Sequence, residues 1–597
     1  MRVFSVPSTP LPGQSRSAAS VIPGNPSSVV FSAFSADAFS QARARNVPVF
    51  LLIGDHPENF QDPALCMQLS ERTIAVHLRP GERPDVELLC QRAGELFSGE
   101  GALPLCALLT ADALPFLAAP LPPTGFPLDA HRLCVWLSQA DRRFIQNTPA
   151  CTAQAAQVIH AFKTRPLNKP YSPSDAAHDL SRALQGIDDP YNGGFGSVKT
   201  PFVCGLRFAQ HAGAHGNKSL GRAFSRAMDA MLASSLYDPL DGGFFRATLT
   251  EDWRVFVPEK PLGINAQLAL CLMADGRRSE AVLTLDFLLE AFSLGSGALS
   301  AAVHAPQETY AFTSQQACAA LGSESGLRAC RLLSLLRQQS EDDPTVIPSR
   351  FSPVASSKTT RSQRLDDRLS ARYPRLPDLL TPEDRAFLRR VTPSLLRARA
   401  ARTRQQPRPY VITEHCALAA AALAFCGRRL AEPRYTQAAQ RAVSFLISQS
   451  PALHGPTPLP ASAYPSSPLL SQATCGASAA LALAQLTLGQ NEGMGEYTQS
   501  GLRLLSTTLR TFVRQDSLVM HTPHDPAACF PRVPAIYDSE LPSPAAQLVA
   551  CLRIASQLQP QSYYSQAIDA IWEAAAPAAK AHPLSCAALI DAVSQAE

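Results

Sequence analysis

No two cysteines in this chain stand closer than ten residues, the nearest pair being Cys416 and Cys426. Thiol–disulfide exchange and paired-thiol metal sites use cysteines about two residues apart, so neither chemistry has sequence support. Fifteen cysteines, an odd number without framework spacing, read as buried free thiols of a reducing compartment. Charge is also scarce: 17% of residues are charged and the net charge is +4, too little to imply nucleic acid by itself. No apolar run approaches the roughly eighteen residues a membrane helix needs. The N-terminal stretch "MRVFSVPSTPLPGQ" lacks the apolar core of a signal peptide, so a cytoplasmic protein without membrane contact is expected. No dinucleotide fingerprint, phosphate-cradling loop or Ser-His-Asp arrangement stands out.

What is present predicts a multidomain chain, α/β followed by all-α. Hydrophobic residues make up 46% of the sequence, enough for a sizeable core. Residues 1–28 are Ser/Pro-rich without periodicity and are expected to form a disordered tail. From 29 to 165, helical and strand patterns alternate through "FSADAFSQARARN", "VPVFLLIG" (47–54), "PALCMQLSER", "TIAVHLRP", "DVELLCQRAGELFS", "LPLCALLT" and "LPFLAAPL". That order predicts a small α/β domain. From 175 to 597, Ala/Leu-rich helical segments dominate, among them 201–214, 263–274, 313–338, 414–429, 472–489 and 542–558. "DPYNGGFG" at 189–196 recurs 49 residues later as "DPLDGGFF" at 238–245, each copy between helices. One helical hairpin per period predicts a helical array or, preferably, a closed toroid. A Pro/Ser/Arg-rich insertion at about 340–408 includes "LLRARAARTRQQPRP". No aromatic residues interleave with its arginines, so a solvated basic helix is expected rather than a nucleic-acid surface.

The order of motifs resembles the spermatogenesis-associated protein 20 family, in which a thioredoxin-like domain precedes an (α/α)6 toroid of six-hairpin glycosidase type. The resemblance rests on "VPVFLLIG", "ENFQDPALCMQLSER", "ERPDVE" (82–87), "GEGALPLCALLTADALPF" (99–116) and above all "YDPLDGGFFRATLTEDWRVFVPEKPLGINAQLAL" (237–270). With echoes in "YAFTSQQACAALG" (310–322), "RARAARTR" (397–404) and "YDSELPS" (537–543), it extends over nearly the whole chain from about residue 35. It implies a Cys-His-Trp-Cys-His segment between Gly54 and Glu58, where this chain keeps only "DHP", so the thioredoxin-like domain is degenerate. It also implies Pro104 as the cis-proline beside the lost site. Three family histidines correspond to Pro239, Phe245 and Val257, which cannot carry protons. An acidic stretch becomes Ala302, Val303, His304 and Ala305; Asp-Asp-Lys becomes Arg408, Pro409 and Tyr410; Trp-Asn becomes His415 and Cys416.

Among the residues left, Glu259 and Asp538 are the candidate catalytic carboxylates, one donor and one base, with Asp238 a third. Arg246, Trp253, Lys260 and Asn265 are candidate binding residues. The alternative is that Glu259–Lys260 and Asp238–Arg246 are bonded pairs that hold hairpin turns. "HTPHDPAAC" offers His521, His524, Asp525 and Cys529, and "HAGAH" offers His211 and His215. The first lacks a second ligand pair and the second ends a helix, so no metal and no cofactor is expected. Cys66 and Cys90 have no resolving neighbour, so redox activity is not expected. The expectation is a catalytically degenerate member acting as a binding or scaffold protein for another protein or a sugar-like ligand. The rival is a carbohydrate-active enzyme, hydrolase or epimerase-like, whose carboxylate pair lies in a cleft walled in part by Trp253.

Overall fold

Val49–Ile53, apolar at every position, forms the centre of a mixed sheet and has all five side chains buried. The computed structural model describes residues 29–162, 167–333, 381–449, 459–461, 463–464, 473–491, 493–524 and 530–595. The expected tail and residues 340–380 of the expected insertion lie outside them. The first elements are β1 (Ser32–Ala33), α1 (Ala36–Arg45), β2 (Val49–Ile53), α2 (Pro63–Arg72), β3 (Ile74–Leu78), α3 (Pro84–Ser98), β4 (Leu105–Leu109), β5 (Pro115–Pro120), α4 (Ala130–Gln146) and α5 (Thr148–His160). The strands lie in the order β1-β3-β2-β4-β5, with β3 parallel to both neighbours and β4 antiparallel to both of its own. Because side chains alternate across a strand, Val49, Leu51 and Ile53 join the core under α1 and α3, while Phe50 and Leu52 join the core under α2 and α4. The Leu103–Pro104 peptide is cis, as the resemblance implies.

The helical part begins with α6 (Pro173–Ile187), opened by a Ser172–Asp175 capping box. It continues through α7 (Val203–Ala214), α8 (Lys218–Ala233), α9 (Leu262–Ala274), α10 (Arg278–Ala291), the short α11 to α13 (Gln307–Tyr310, Ser314–Leu321 and Ser323–Leu332) and α14 (Pro382–Arg402). Then come α15 (Thr413–Leu430), α16 (Pro433–Ser448), α17 (Cys475–Gly489), α18 (Gly495–Phe512), α19 (Pro544–Leu558), α20 (Ser562–Ala581) and α21 (Ala587–Ser594). Helices α7, α9, α15, α17, α19 and α21 each contact the next, and α21 returns to α7, so they close an inner ring. Outside it, α8, α10, α16, α18 and α20 pair with their sequence neighbours, and α6 pairs with α21. The architecture is thus a thioredoxin-like sheet followed by an (α/α)6 toroid, whose sixth hairpin joins the start and end of the helical chain. Inner helices bury long apolar runs: α15 buries Ala417 to Ala422 without a break. Glycines set how closely a hairpin can pack; a Cβ on Gly213 would lie 2.6 Å from the Gly221 Cα across α7 and α8. Among the described residues, no helix is long and apolar enough to cross a membrane.

The sequence repeat is one turn built twice. Asp189 and Asp238 each accept backbone N–H bonds two residues on, and the carbonyl oxygens of both accept from the fourth residue on, Gly193 and Gly242. Gly193, Gly194, Gly242 and Gly243 all have φ between 74° and 84°, which favours glycine. A buried lysine completes each copy: Lys199 Nζ reaches Asp189 and the Gly193 carbonyl, and Lys260 Nζ reaches Asp238 and the Gly242 carbonyl. Arg399, from α14, adds a second cation to Asp238 at 2.7 Å. The expected pairing is therefore corrected. Asp238 pairs with Lys260, and Glu259 with Arg246, because Glu259 and Lys260 are consecutive on the short strand β6 (Glu259–Pro261) and point to opposite sides. The basic run is corrected too, since Arg399 is 3% exposed and serves as a buried counter-ion.

Candidate functional site

Strand β2 ends at Gly54, where a Cβ would stand 3.0 Å from the Pro104 Cβ. This corner of the sheet faces the ring where α7 and α9 begin and where the chain leads into α19 and α21. A cleft of about 540 Å³ separates them. Gly54, Asp55, Leu103 and Pro104 line the sheet side; Arg246, Glu259, Asp538 and Glu540 line the ring side.

The remnant "DHP" loop is occupied. Tyr410 Oη donates to the Asp55 carboxylate, Arg408 Nη2 lies 3.0 Å from His56 Nε2, and Arg408 Nε lies 3.8 Å from an Asp55 oxygen. His304, on β7 (Ala302–His304), has its ring centre 6.0 Å from that of His56. Burial and the Arg408 charge both push the His304 imidazole below its ordinary value. His304, Arg408 and Tyr410 are positions where the resemblance implies other residues, and the short loop is one where it implies a longer segment. All of them meet here. The loop for which the resemblance implies a cysteine pair is, in this chain, a hydrogen-bonded joint between sheet and ring.

The charges of the cleft divide sharply. Glu259 is 3% exposed and lies 3.2 Å from Arg246, whose guanidinium also meets Glu540. Burial raises the Glu259 carboxyl, but Arg246 and Arg408 outweigh it and hold the group below the usual carboxylate range. Its Oε1 has no hydrogen-bond partner. Asp538 behaves oppositely. Burial pushes its carboxyl up to about 7, although its oxygens accept from Ser543 N at 2.9 Å and Ala588 N at 2.8 Å. Those two bonds tie down the starts of α19 and α21.

Glu259, Asp538 and Arg246 are the sequence candidates that line this cleft. Asp238 and Lys260 belong to the repeated turn. Asn265 bonds the Phe244 N–H and carbonyl and the Pro261 carbonyl, locking the same turn to α9. Trp253 is 2% exposed, donates to the Asn192 carbonyl at 2.9 Å, and covers Gly194, so it is not a cleft wall. Glu540 was missed, although it stands two residues beyond Asp538 in a quoted motif. Among the described residues no cysteine lines the cleft. Burial pushes up the thiols of Cys66, Cys90 and Cys106, the last to about 12, against thiolate chemistry. His211, in the last turn of α7, pairs with Asp591 at 2.8 Å. His521 is 4% exposed; Asp525 and Cys529 lie outside the described residues. No metal-binding cluster of His, Cys, Asp and Glu occurs among the described residues.

Comparison with known proteins agrees with the resemblance read from the motifs. Residues 21–163 match the family model described as Thioredox_DsbH, protein of unknown function, DUF255. The chain is 26% identical over 260 residues to spermatogenesis-associated protein 20 of Rattus norvegicus, covering 39% of this chain and 32% of that protein. It is 25% identical over 261 residues to an uncharacterized protein of Caenorhabditis elegans, covering 39% of this chain and 34% of the relative. The chain thus spans about a third of the length of the curated relatives it matches. Among solved structures, a D-mannose isomerase aligns with a TM-score of 0.41 at 11% identity, over 68% of this chain and 85% of that one. A cellobiose 2-epimerase from Spirochaeta thermophila aligns with a TM-score of 0.40 at 14% identity, over 67% and 83%. The ring described above rests on the chain's own helix contacts.

Proposed function

We propose that this chain is a catalytically degenerate binding protein, whose cleft between sheet and ring holds a small, polar, sugar-like ligand. One observation carries the proposal: the cleft keeps polar groups able to bind, while the groups able to react are already engaged. Arg246 and Glu540 are close partners, both Asp538 oxygens accept backbone N–H bonds, and the remnant loop is tied to Arg408 and Tyr410. Other polar side chains of the lining, Gln91 and Thr200 among them, can bond a ligand's hydroxyls. A cytoplasmic, reducing location fits the fourteen described cysteines, all of which are free. Nucleic acid is not part of this proposal. The test is titration of neutral mono- and disaccharides into the full chain and into Arg246→Gln, with turnover and protein-disulfide reduction assayed in parallel. Saturable binding that weakens about tenfold in the variant, without turnover, supports the proposal. Turnover of the bound sugar overturns it.

A second proposal follows from the split between Glu259 and Asp538. One carboxyl held ionised and one held protonated toward pH 7 is the division of labour that acid–base chemistry on a sugar uses. In this carbohydrate-active version Asp538 donates the proton and Glu259 acts as base. Its mark is activity that falls above about pH 7 as Asp538 loses its proton, and that Glu259→Gln abolishes.

A further inference from the structure

At the other end of the ring, where the inner helices finish, all six line a second cavity of about 590 Å³. Asp538 marks the partition between the two hollows. Asp538 lines the first, and Cys204, whose thiol is pushed up by burial and by the Asp538 charge, lines the second. The wall of the second cavity carries three guanidinium groups. Arg207 donates to the Gln267 side chain at 3.1 Å, Arg428 to the Gln490 side chain at 3.1 Å and its carbonyl at 3.3 Å, and Arg553 to the Val593 carbonyl at 3.0 Å. Among the described residues none of the three lies within ion-pair distance of a carboxylate. Asp591 is the acid in the lining, and His211 and Gln595 already hold it, at 2.8 Å and 3.1 Å.

Arginines near helix C-termini ordinarily cap carbonyls and oppose the helix dipole. That explains one bond each of Arg428 and Arg553. It leaves unexplained why three cations line one hollow that holds a single carboxylate, Asp591. It also leaves partnerless polar atoms within the side chains that line the hollow. Arg553 Nε is buried without a partner, and so is the Oε1 of Gln547, a residue 2% exposed. A side-chain amide with a free oxygen accepts a hydroxyl, and a guanidinium with a free N–H suits an oxyanion. Phe425 and Leu418 add an apolar strip to the wall.

We propose that this cavity binds a compact anion carrying hydroxyl groups: a polyol bearing one carboxylate or one phosphate. Arg207 and Arg553 take the anionic group, and the Gln267 and Gln547 amides take the hydroxyls. The proposal is independent of what the first cleft does. The experiment is calorimetric titration of the full chain with gluconate in one arm and glucose 6-phosphate in the other, with sorbitol as the neutral control. One site is expected, with affinity falling as salt rises and at least about tenfold weaker in Arg207→Gln/Arg553→Gln. Arg43→Gln, which removes an exposed charge far from the ring cavity, should titrate like the parent. Which arm binds more tightly assigns the carboxylate or the phosphate. The proposal is overturned if neither anion binds at millimolar concentration, if sorbitol binds as well as both anions, or if the folded double variant binds like the parent. Should the double variant not fold, the salt dependence in the parent chain decides alone, since a neutral mode of binding would not show it.

Discussion

Asp238 and Asp538 both fasten turns that lead into inner helices, and their surroundings give them opposite charge states. Asp238 is 2% exposed; burial raises its carboxyl, and Arg399 with Lys260 drives it well below the ordinary value. Asp538 is partly exposed as a residue, yet its enclosed carboxyl meets backbone amides and no cation, and it is pushed up to about 7. The same residue type therefore serves as a fixed charge in one place and as a near-neutral acid in the other. Burial acts alike on both, and the counter-ions decide. The turn region is a closed set of compensated charges, whereas the cleft region keeps capacity unspent. That contrast is why binding is assigned to the cleft and not to the turn.

Four substitutions test the contrast. Lys260→Met should cost most, about 3 kcal/mol in urea denaturation, because it leaves Asp238 buried with one cation fewer and the Gly242 carbonyl without its donor. An equal cost from Arg246→Met would break the comparison by placing the essential cation on the cleft side. Gly243→Ala should cost about 2 kcal/mol. Its φ of 77° strains any side chain, and the new Cβ would stand 2.5 Å from the Phe287 ring. Gly276→Ala, also at positive φ but in open space, should cost less, which separates the clash from the strain.

Asp538→Asn reads the charge states directly. The folded chain keeps the Asp538 proton up to about pH 7, whereas the unfolded chain loses it near 3.8. This group's stabilisation is complete below that lower value and is lost as pH rises to about 7. Asparagine has no proton to lose, so the stability gap between parent and variant should narrow by roughly 1–2 kcal/mol from pH 4 to pH 8, after allowing for the residue's partial exposure. Asp238→Asn should do the opposite. A depressed carboxyl stabilises above its unfolded value and loses that contribution as pH falls, so its gap should widen from acid toward neutral pH. Denaturation curves at the two pH values check both signs.

Periodicity made the strands and most helices legible, because each is a local pattern: β2 as an apolar run, α2 and α3 as apolar stripes. Where a helix breaks on one residue the pattern misleads. The expected helix over 313–338 is divided at Gly322, which has φ 82°. Helix α21 is only eight residues long and gave no clear period. The repeat was legible as a glycine turn, but its lysines were not. Lys199 follows its aspartate by 10 residues and Lys260 by 22, so no fixed spacing announces the ion pair. Trp253 looked like a sugar-stacking aromatic and is instead a lid on the first copy of the turn. The joint was least legible of all. The resemblance marked Arg408 and Tyr410 as lost chemistry, but their partners on the remnant loop lie more than 350 residues away.

That joint supplies the smallest effect and the most local one. Tyr410→Phe keeps the ring under the Arg79 guanidinium, 4.9 Å from its centre, and removes only the hydroxyl that donates to Asp55. The Asp55 carboxylate then depends on Arg408 at 3.8 Å, a distance too long for a hydrogen bond. A loss of about 1 kcal/mol follows from one buried hydrogen bond. If the departures from the family pattern were rebuilt together as a joint, the loosening should be confined to it. Amide hydrogen exchange across residues 54–58 should quicken while that of α15 stays unchanged. Asp55→Asn in the same chain should add less than its cost alone, because the two changes remove one interaction. Faster exchange spread evenly through the ring would instead make Tyr410 an ordinary ring residue, and the charge-compensated joint would lose its physical basis.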